Sequence, residues 1–294
     1  MSLIVALGAA PLPTTGRPGA PELIIVALGV ALAGFLWYAD LIRPGSFRRR
    51  TPARPEHAAA IPWPIWLLAA VVTYLALLTT AGLVGALVGV TPGVDPDLRQ
   101  QAIVGVAAYT VAATAGAALV AFFARAIRPP NSGLRVRATD LLAGLALFAL
   151  TAPIILAVGV LSPAIYGLLT GIAPDPVAHT QLRMILDSRA DPWIWALVLT
   201  AALGAPIVEE LTYRVFLQTS LLTLTRSHWA AILITSLLFT AVHIGSVPIY
   251  AMPVLCTLSV AIGAAYERTA RLGVPIVMHA AFNAANLAVT LAAS

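Results

Sequence analysis

Long apolar runs, separated by short polar segments, extend along almost the whole chain. The runs lie near residues 22–42, 61–90, 101–124, 139–170, 192–213, 229–244, 248–266 and 273–291. Several reach the length of about 18 residues that a helix needs to cross roughly 30 Å of hydrocarbon. Proline and glycine mark the gaps, as at 91–93 and 129–131. The pattern predicts an all-α, polytopic transmembrane helical bundle of about eight spans.

The composition supports the membrane interpretation. Of the 294 residues, 60% are apolar and 10% are charged, whereas soluble domains carry about 25% charged residues. The net charge of +5 comes from arginine, because the chain contains no lysine. The arginines cluster between the apolar runs, which indicates membrane topology and argues against a nucleic-acid partner. A single cysteine, Cys256, excludes an intrachain disulfide and a cysteine-based metal site.

The arginines also predict the orientation of the spans. Twelve follow the first, third, fifth and seventh runs, namely Arg43, Arg48, Arg49, Arg50, Arg54, Arg125, Arg128, Arg135, Arg137, Arg226, Arg268 and Arg271. The opposite side holds four, at positions 17, 99, 183 and 189. Arginine-rich loops are expected in the cytoplasm, with both termini outside, in the plasma membrane or a bacterial inner membrane. The longest outward loop, Gly171 to Asp191, contains His179 and is predicted to be a solvated connector.

Two adjacent carboxylates interrupt the fifth run. Glu209 and Glu210 follow Pro206, which is expected to kink or break the helix. An acidic residue at the centre of a spanning helix costs about 2.5–3.5 kcal/mol, so it must face protein or water and is a functional candidate. Glu210 lies four residues before Arg214 on one helical face, which predicts an ion pair. Glu209 is rotated off that face, so its carboxylate is left for a second partner.

Polar residues interrupt two other late runs. His243 ends the sixth run one turn after Phe239, and His279 and Asn283 lie four apart in the eighth run. Taken singly, each is most simply a hydrogen-bonding group between helices. A Glu–Arg pair at four-residue spacing is likewise often only helix support. Six such residues on three late spans favour one shared site instead.

Distances along the chain predict which of these residues meet. Glu209 and His243 are each 17 residues from Arg226, in the loop that joins their runs. At about 1.5 Å per residue, two antiparallel helices bring them to similar depth. His279 is only eight residues beyond Arg271 and is expected nearer the inner face.

These residues resemble the CPBP family, the CAAX-protease and bacteriocin-processing intramembrane enzymes also called the Abi family. The family pattern is Glu-Glu-x-x-x-Arg, then Phe-x-x-x-His, then His-x-x-x-Asn on successive late helices. The chain carries Glu209-Glu210-x-x-x-Arg214, Phe239-x-x-x-His243 and His279-x-x-x-Asn283. The resemblance covers roughly residues 190 to 291. One departure is Val215, where the family usually has glycine.

The resemblance implies an intramembrane endopeptidase acting on a membrane-associated peptide or protein, of the CAAX-like or leader-peptide type. Residues 191–294 form the implied catalytic core, and residues 1–190 supply N-terminal helices of the same membrane domain. In the implied site, Glu209 is the general base and His243 assists it. The oxyanion hole is formed by His279 and Asn283. The pair of Glu210 and Arg214 shapes the site. General bases and oxyanion donors of these types suit acyl transfer.

Three alternatives remain at this stage. A zinc peptidase would use Glu209, His243 and His279 as ligands and keep one position open. No His-Glu-x-x-His motif occurs, so we favour the version without a metal or other cofactor. A proton-coupled transporter also uses intramembrane Glu and His, but transporters more often show internal repeats, which this chain lacks. The third alternative is a non-catalytic immunity or scaffold protein with the same fold.

Overall fold

The computed structural model of the protein describes residues 18–47, 60–91, 93–126, 133–172, 174 and 191–292. This part of the chain forms eight main helices, which are α1 (Ala20–Tyr38), α2 (Trp63–Leu87), α3 (Leu98–Ala126), α4 (Asp140–Thr170), α5 (Trp193–Thr225), α6 (His228–Ala241), α7 (Met252–Thr269) and α8 (Gly273–Ala292). The predicted all-α helical bundle is confirmed, and each of the eight predicted runs contains a helix. Most of the predicted loop from Gly171 to Asp191, with His179, lies outside the described residues, as do the arginines at 17, 48–50, 54, 128, 183 and 189.

Six of these helices are long and apolar enough to cross a membrane, and α6 and α8 are shorter apolar helices. The protein is therefore an integral membrane protein. Helix α6 has 14 residues, which at about 1.5 Å per residue is roughly 21 Å. That length is less than the roughly 30 Å of a hydrocarbon core. The sixth predicted run ended at residue 244, whereas α6 ends at Ala241 and leaves His243 in the turn that follows.

Helix α5 is continuous but irregular. Two π-helical segments, Thr200–Gly204 and Leu211–Gln218, alternate with α-helical turns. The first segment ends two residues before Pro206, whose missing N–H cannot join the hydrogen-bond ladder. The helix adopts π-helical geometry just before the proline and continues beyond it to Thr225, so Pro206 does not end the helix. Helix α5 therefore ends 12 residues later than the predicted boundary at 213.

The N-terminal helices pack directly on the late helices. Helices α2 and α3 lie against α5, and α4 lies between α1 on one side and α7 and α8 on the other. One buried apolar cluster joins Trp66 of α2, Phe123 of α3, Val215 of α5 and Tyr266 of α7. Val215, the departure from the family glycine, is fully buried in this cluster. The division of the chain into residues 1–190 and a catalytic core of residues 191–294 stays a prediction. Helices from both parts contribute to one packed core.

A buried carboxylate fixes the start of α8. Asp140, at the beginning of α4, accepts a hydrogen bond from the Arg137 backbone N–H at 2.9 Å. Its second oxygen forms an ion pair with Arg271 at 2.9 Å, without the alignment of a hydrogen bond. A Cβ at position 273 would clash with the Asp140 carboxylate, so only a glycine permits this approach. The anchor sets the position of His279, six residues later.

The arginine distribution leads to a test of orientation. Reporter fusions after residues 50, 132 and 227 are expected to signal the cytoplasmic side, and fusions near 95 and 180 the outer side, because the translocation machinery retains short arginine-rich loops. Paired fusions to an enzyme active only in the cytoplasm and one active only outside it give the measurement. An outer-side signal at 132 would contradict the eight-span topology.

Candidate active site

Three elements bring the six sequence-predicted residues into one region of the bundle. Helix α5 carries Glu209, Glu210 and Arg214, the turn after α6 carries His243, and α8 carries His279 and Asn283. All six are buried. Helix α8 packs against the α-helical turn of α5 that contains the glutamates.

Glu210 binds two partners through its two oxygens. Arg214 donates from Nε to Oε2 at 3.0 Å, which is the ion pair predicted from helical spacing. The Nδ1 of His279 lies 2.8 Å from Oε1. Because a carboxylate paired with arginine only accepts hydrogen bonds, Nδ1 of His279 is the donor. Glu210 thus fixes the ring of His279, a contact that the sequence did not predict.

The second ring nitrogen of His279 faces the other glutamate. Nε2 lies 3.7 Å from Oε2 of Glu209, beyond hydrogen-bonding distance. His279 is therefore at the depth of both glutamates, and the predicted offset toward the inner face is wrong. Part of the path from Glu209 to Arg226 is the eight-residue π-helix. A π-helix places five residues where an α-helix places four, so the axial distance is shorter than an α-helix would give.

His243 is held by the residue one turn before it. Its Nδ1 donates to the Phe239 carbonyl oxygen at 2.7 Å, and its ring lies 4.8 Å from the Phe239 ring. Nε2 is consequently the nitrogen that can accept a proton. Phe239 also meets the ring of His279, at 6.0 Å. The Glu209 carboxylate lies within electrostatic range of His243, as the depth argument predicted.

Asn283 donates to a backbone carbonyl that Pro206 leaves without a donor. The N–H of Ala205 donates to the Thr200 carbonyl in the five-residue register of the π-helix. In the same register the next donor would be residue 206, which is proline and has no N–H. The carbonyl of Ala201 therefore lacks a backbone donor, and Asn283 Nδ2 supplies one at 2.9 Å. One amide hydrogen of Asn283 remains for another acceptor.

Sequence reasoning missed residues that reach the site from other helices. Tyr109 of α3 and Tyr213 of α5 lie within electrostatic range of Glu209, and Tyr74 of α2 lies near both tyrosines. Ser259 of α7 accepts a hydrogen bond from Arg214 at 2.8 Å. The only sequence signal was a polar side chain inside an apolar run, which is common in spanning helices and does not single these residues out.

Access to the site is uneven. Glu209 is 8% exposed and His243 is 4% exposed, whereas the other four predicted residues are fully buried. The site is therefore accessible mainly from the Glu209 and His243 side. Three site atoms lack a hydrogen-bond partner within the described ranges, namely His279 Nε2, Asn283 Oδ1 and Arg214 Nη1. In the same ranges, no group of three or more His, Cys, Asp or Glu side chains has a geometry that holds a metal ion.

Residues 191–285 match the family model of type II CAAX prenyl endopeptidase Rce1-like proteins. The matched segment runs from the start of α5 into α8 and contains all six predicted residues. The resemblance to the CPBP family is confirmed, and that family is a protease family. No curated protein and no solved structure matches the chain.

Proposed function

We propose that this integral membrane protein, with its CAAX prenyl endopeptidase-like segment at residues 191–285, hydrolyses a peptide bond in a membrane-associated substrate. The observation that carries the proposal is the convergence of Glu209, His243 and His279 inside a helical bundle. Carboxylate and imidazole groups are costly in hydrocarbon, so a cluster of them inside a membrane protein is by default a candidate functional site.

Glu209 is the general base of the proposed reaction. It is the most exposed of the six residues, so a water molecule reaches it first. Both oxygens of Glu210 already accept hydrogen bonds, from Arg214 and His279, so in this proposal Glu209 takes the proton from water. His243 assists through Nε2, because its Nδ1 is committed to the Phe239 carbonyl. The resulting hydroxide attacks the peptide carbonyl carbon, and Glu209 then returns the proton to the leaving amine.

His279 and Asn283 stabilise the tetrahedral oxyanion in this proposal. They lie one turn apart on α8, so their side chains share a face. Asn283 donates its remaining amide hydrogen. His279 donates from Nε2 when its ring carries both protons, since Nδ1 is held by Glu210. Preorganised donors at a developing oxyanion are usually the largest electrostatic contribution to acyl transfer.

The shortness of α6 supports access of water to the site. Helix α6 ends at Ala241, and the turn that carries His243 follows it. Irregular backbone at membrane depth is tolerated only where it is buried in protein or lines a water-filled cavity. A cavity beside this turn would serve both the backbone and the hydrolytic water.

The surroundings of the same turn fit a lipid-modified or apolar substrate. Val242, Ile244 and Ile249 expose large apolar side chains on either side of His243. An apolar substrate segment, such as the prenylated end of a CAAX-like protein or a hydrophobic leader peptide, would bury this surface next to the base.

Cleavage of defined peptides tests the function. The purified protein in liposomes is expected to cleave a prenylated CAAX-type peptide or a hydrophobic leader peptide at one bond, identified by mass spectrometry. The same peptides without the lipid or the apolar segment serve as controls. Absence of cleavage of every peptide by folded protein would overturn the proposal.

Chelation gives a separate prediction. Glu209 and His243 supply a proton acceptor without help from a metal, so strong chelators are expected to leave the cleavage rate unchanged. Elemental analysis of the purified protein is expected to find less than stoichiometric zinc. One equivalent of zinc that is lost together with activity would favour the alternative with Glu209, His243 and His279 as ligands.

A further inference from the structure

A line of polar contacts connects α7 to the catalytic region of α5. Ser259, Gly263 and Glu267 lie four residues apart on α7 and so share one face. Opposite them, Arg214 and Gln218 lie four residues apart in the second π-helical segment of α5. Four of these residues are fully buried and Gly263 is also buried where they meet, which makes this face of α7 a second source of polar groups for the site.

Ser259 makes the contact nearest to the site. Its hydroxyl accepts from Nη2 of Arg214 at 2.8 Å, while Nε of Arg214 donates to Glu210 at 3.0 Å. The guanidinium also lies over the Phe239 ring, with its carbon 5.5 Å from the ring centre. One hydrogen bond to Glu210 would leave the guanidinium plane able to rotate. The Ser259 contact adds a second fixed point and removes that freedom.

The polar contacts farthest from the site hold α7 against α5 without the participation of Ser259. Gln218 donates to Glu267 at 2.8 Å and to the Gly263 carbonyl at 3.1 Å. Glu267 also bonds Nδ1 of His228 at 2.8 Å. A Cβ at position 263 would lie 2.8 Å from Gln218, so glycine there permits the close approach. These contacts do not involve Ser259, so removal of its hydroxyl is expected to leave α7 packed against α5 and to have a local effect.

We propose that Ser259 is a positioning residue of the active site, which fixes Arg214 so that Glu210 keeps the ring of His279 oriented toward Glu209. The chain of contacts runs from Ser259 to Arg214, from Arg214 to Glu210 and from Glu210 to His279, at 2.8, 3.0 and 2.8 Å. Ser259 does not touch the reacting atoms in this role. The inference rests on the proposed function, because it assigns Ser259 to the same reaction.

The test compares two serine-to-alanine changes. Ser259→Ala is expected to lower kcat about tenfold or more with KM unchanged, because a hydrogen bond to a charged group is lost and orientation, not binding, is affected. Ser236→Ala is the matched control, since Ser236 is also fully buried but its hydroxyl has no partner in the described chain. That variant is expected to keep the wild-type kcat. Ser259→Thr, which keeps the hydroxyl, is expected to restore most of the rate.

A second measurement does not depend on activity. Nitrogen-15 NMR of the histidine rings, with His279 assigned by its loss in His279→Gln, is expected to show a changed His279 signal in Ser259→Ala and an unchanged one in Ser236→Ala. An unchanged His279 signal and a wild-type kcat in Ser259→Ala would overturn the positioning role. If the wild-type protein cleaves no peptide, the proposed function fails, while the NMR comparison still decides the role of Ser259.

Discussion

Glu209→Gln is expected to reduce peptide cleavage at least about 100-fold, because general-base catalysis contributes roughly that much or more. The amide keeps the shape of the side chain and its hydrogen bonding, but it cannot take a proton from water. The buried Arg214 guanidinium keeps its ion pair with Glu210 in this variant. Folding stability is therefore expected to stay close to that of the wild type, or to rise.

The cleavage rates and melting temperatures of the wild-type and Glu209→Gln proteins, purified in the same detergent, give the comparison. Glu22→Gln, the same change on the peripheral helix α1, is the control for the chemistry of the substitution. A Glu209→Gln protein that cleaves at nearly the wild-type rate would refute the assignment of the base. Loss of activity together with a large fall in melting temperature would instead indicate a structural role for Glu209.

The fold could be predicted from the sequence because hydrophobic length decides it. Apolar runs of sufficient length have few alternatives to a spanning helix, and all eight runs contain a helix in the structure. The end of α5 could not be predicted in this way. Hydropathy does not report a π-helix, and the polar residues Arg214 and Gln218 made the run seem to stop where the helix continues to Thr225.

The pair within one helix could be predicted, whereas the contact of Glu210 with a histidine on another helix could not. The pair of Glu210 and Arg214 depends only on four-residue spacing. The contact of Glu210 with His279 depends on the rotation of α8 and on the depth of α5. A single sequence contains neither quantity. The assumption of a uniform rise of 1.5 Å per residue accordingly gave the wrong depth for His279.

Glu210→Gln is expected to destabilise the protein by about 3–5 kcal/mol, the usual cost of breaking one half of a buried pair. Arg214 and His279 both donate to Glu210, Arg214 to Oε2 and His279 to Oε1. A glutamine offers one oxygen and one NH2 group, so one of the two donors would face another donor. The fully buried Arg214 would also lose its counter-charge. Activity is expected to fall along with the amount of folded protein.

The double variant Glu210→Gln/Arg214→Met separates the cost of the unpaired cation from the loss of the carboxylate. Removing both charges is expected to recover part of the stability lost in Glu210→Gln, because no uncompensated buried charge remains. The double variant is nevertheless expected to stay poorly active, since His279 no longer has the carboxylate that orients its ring. Denaturant unfolding and cleavage rate, measured on wild-type, single and double variants, test both parts. A Glu210→Gln protein as stable as the wild type would show that the Arg214 cation is compensated by groups other than Glu210.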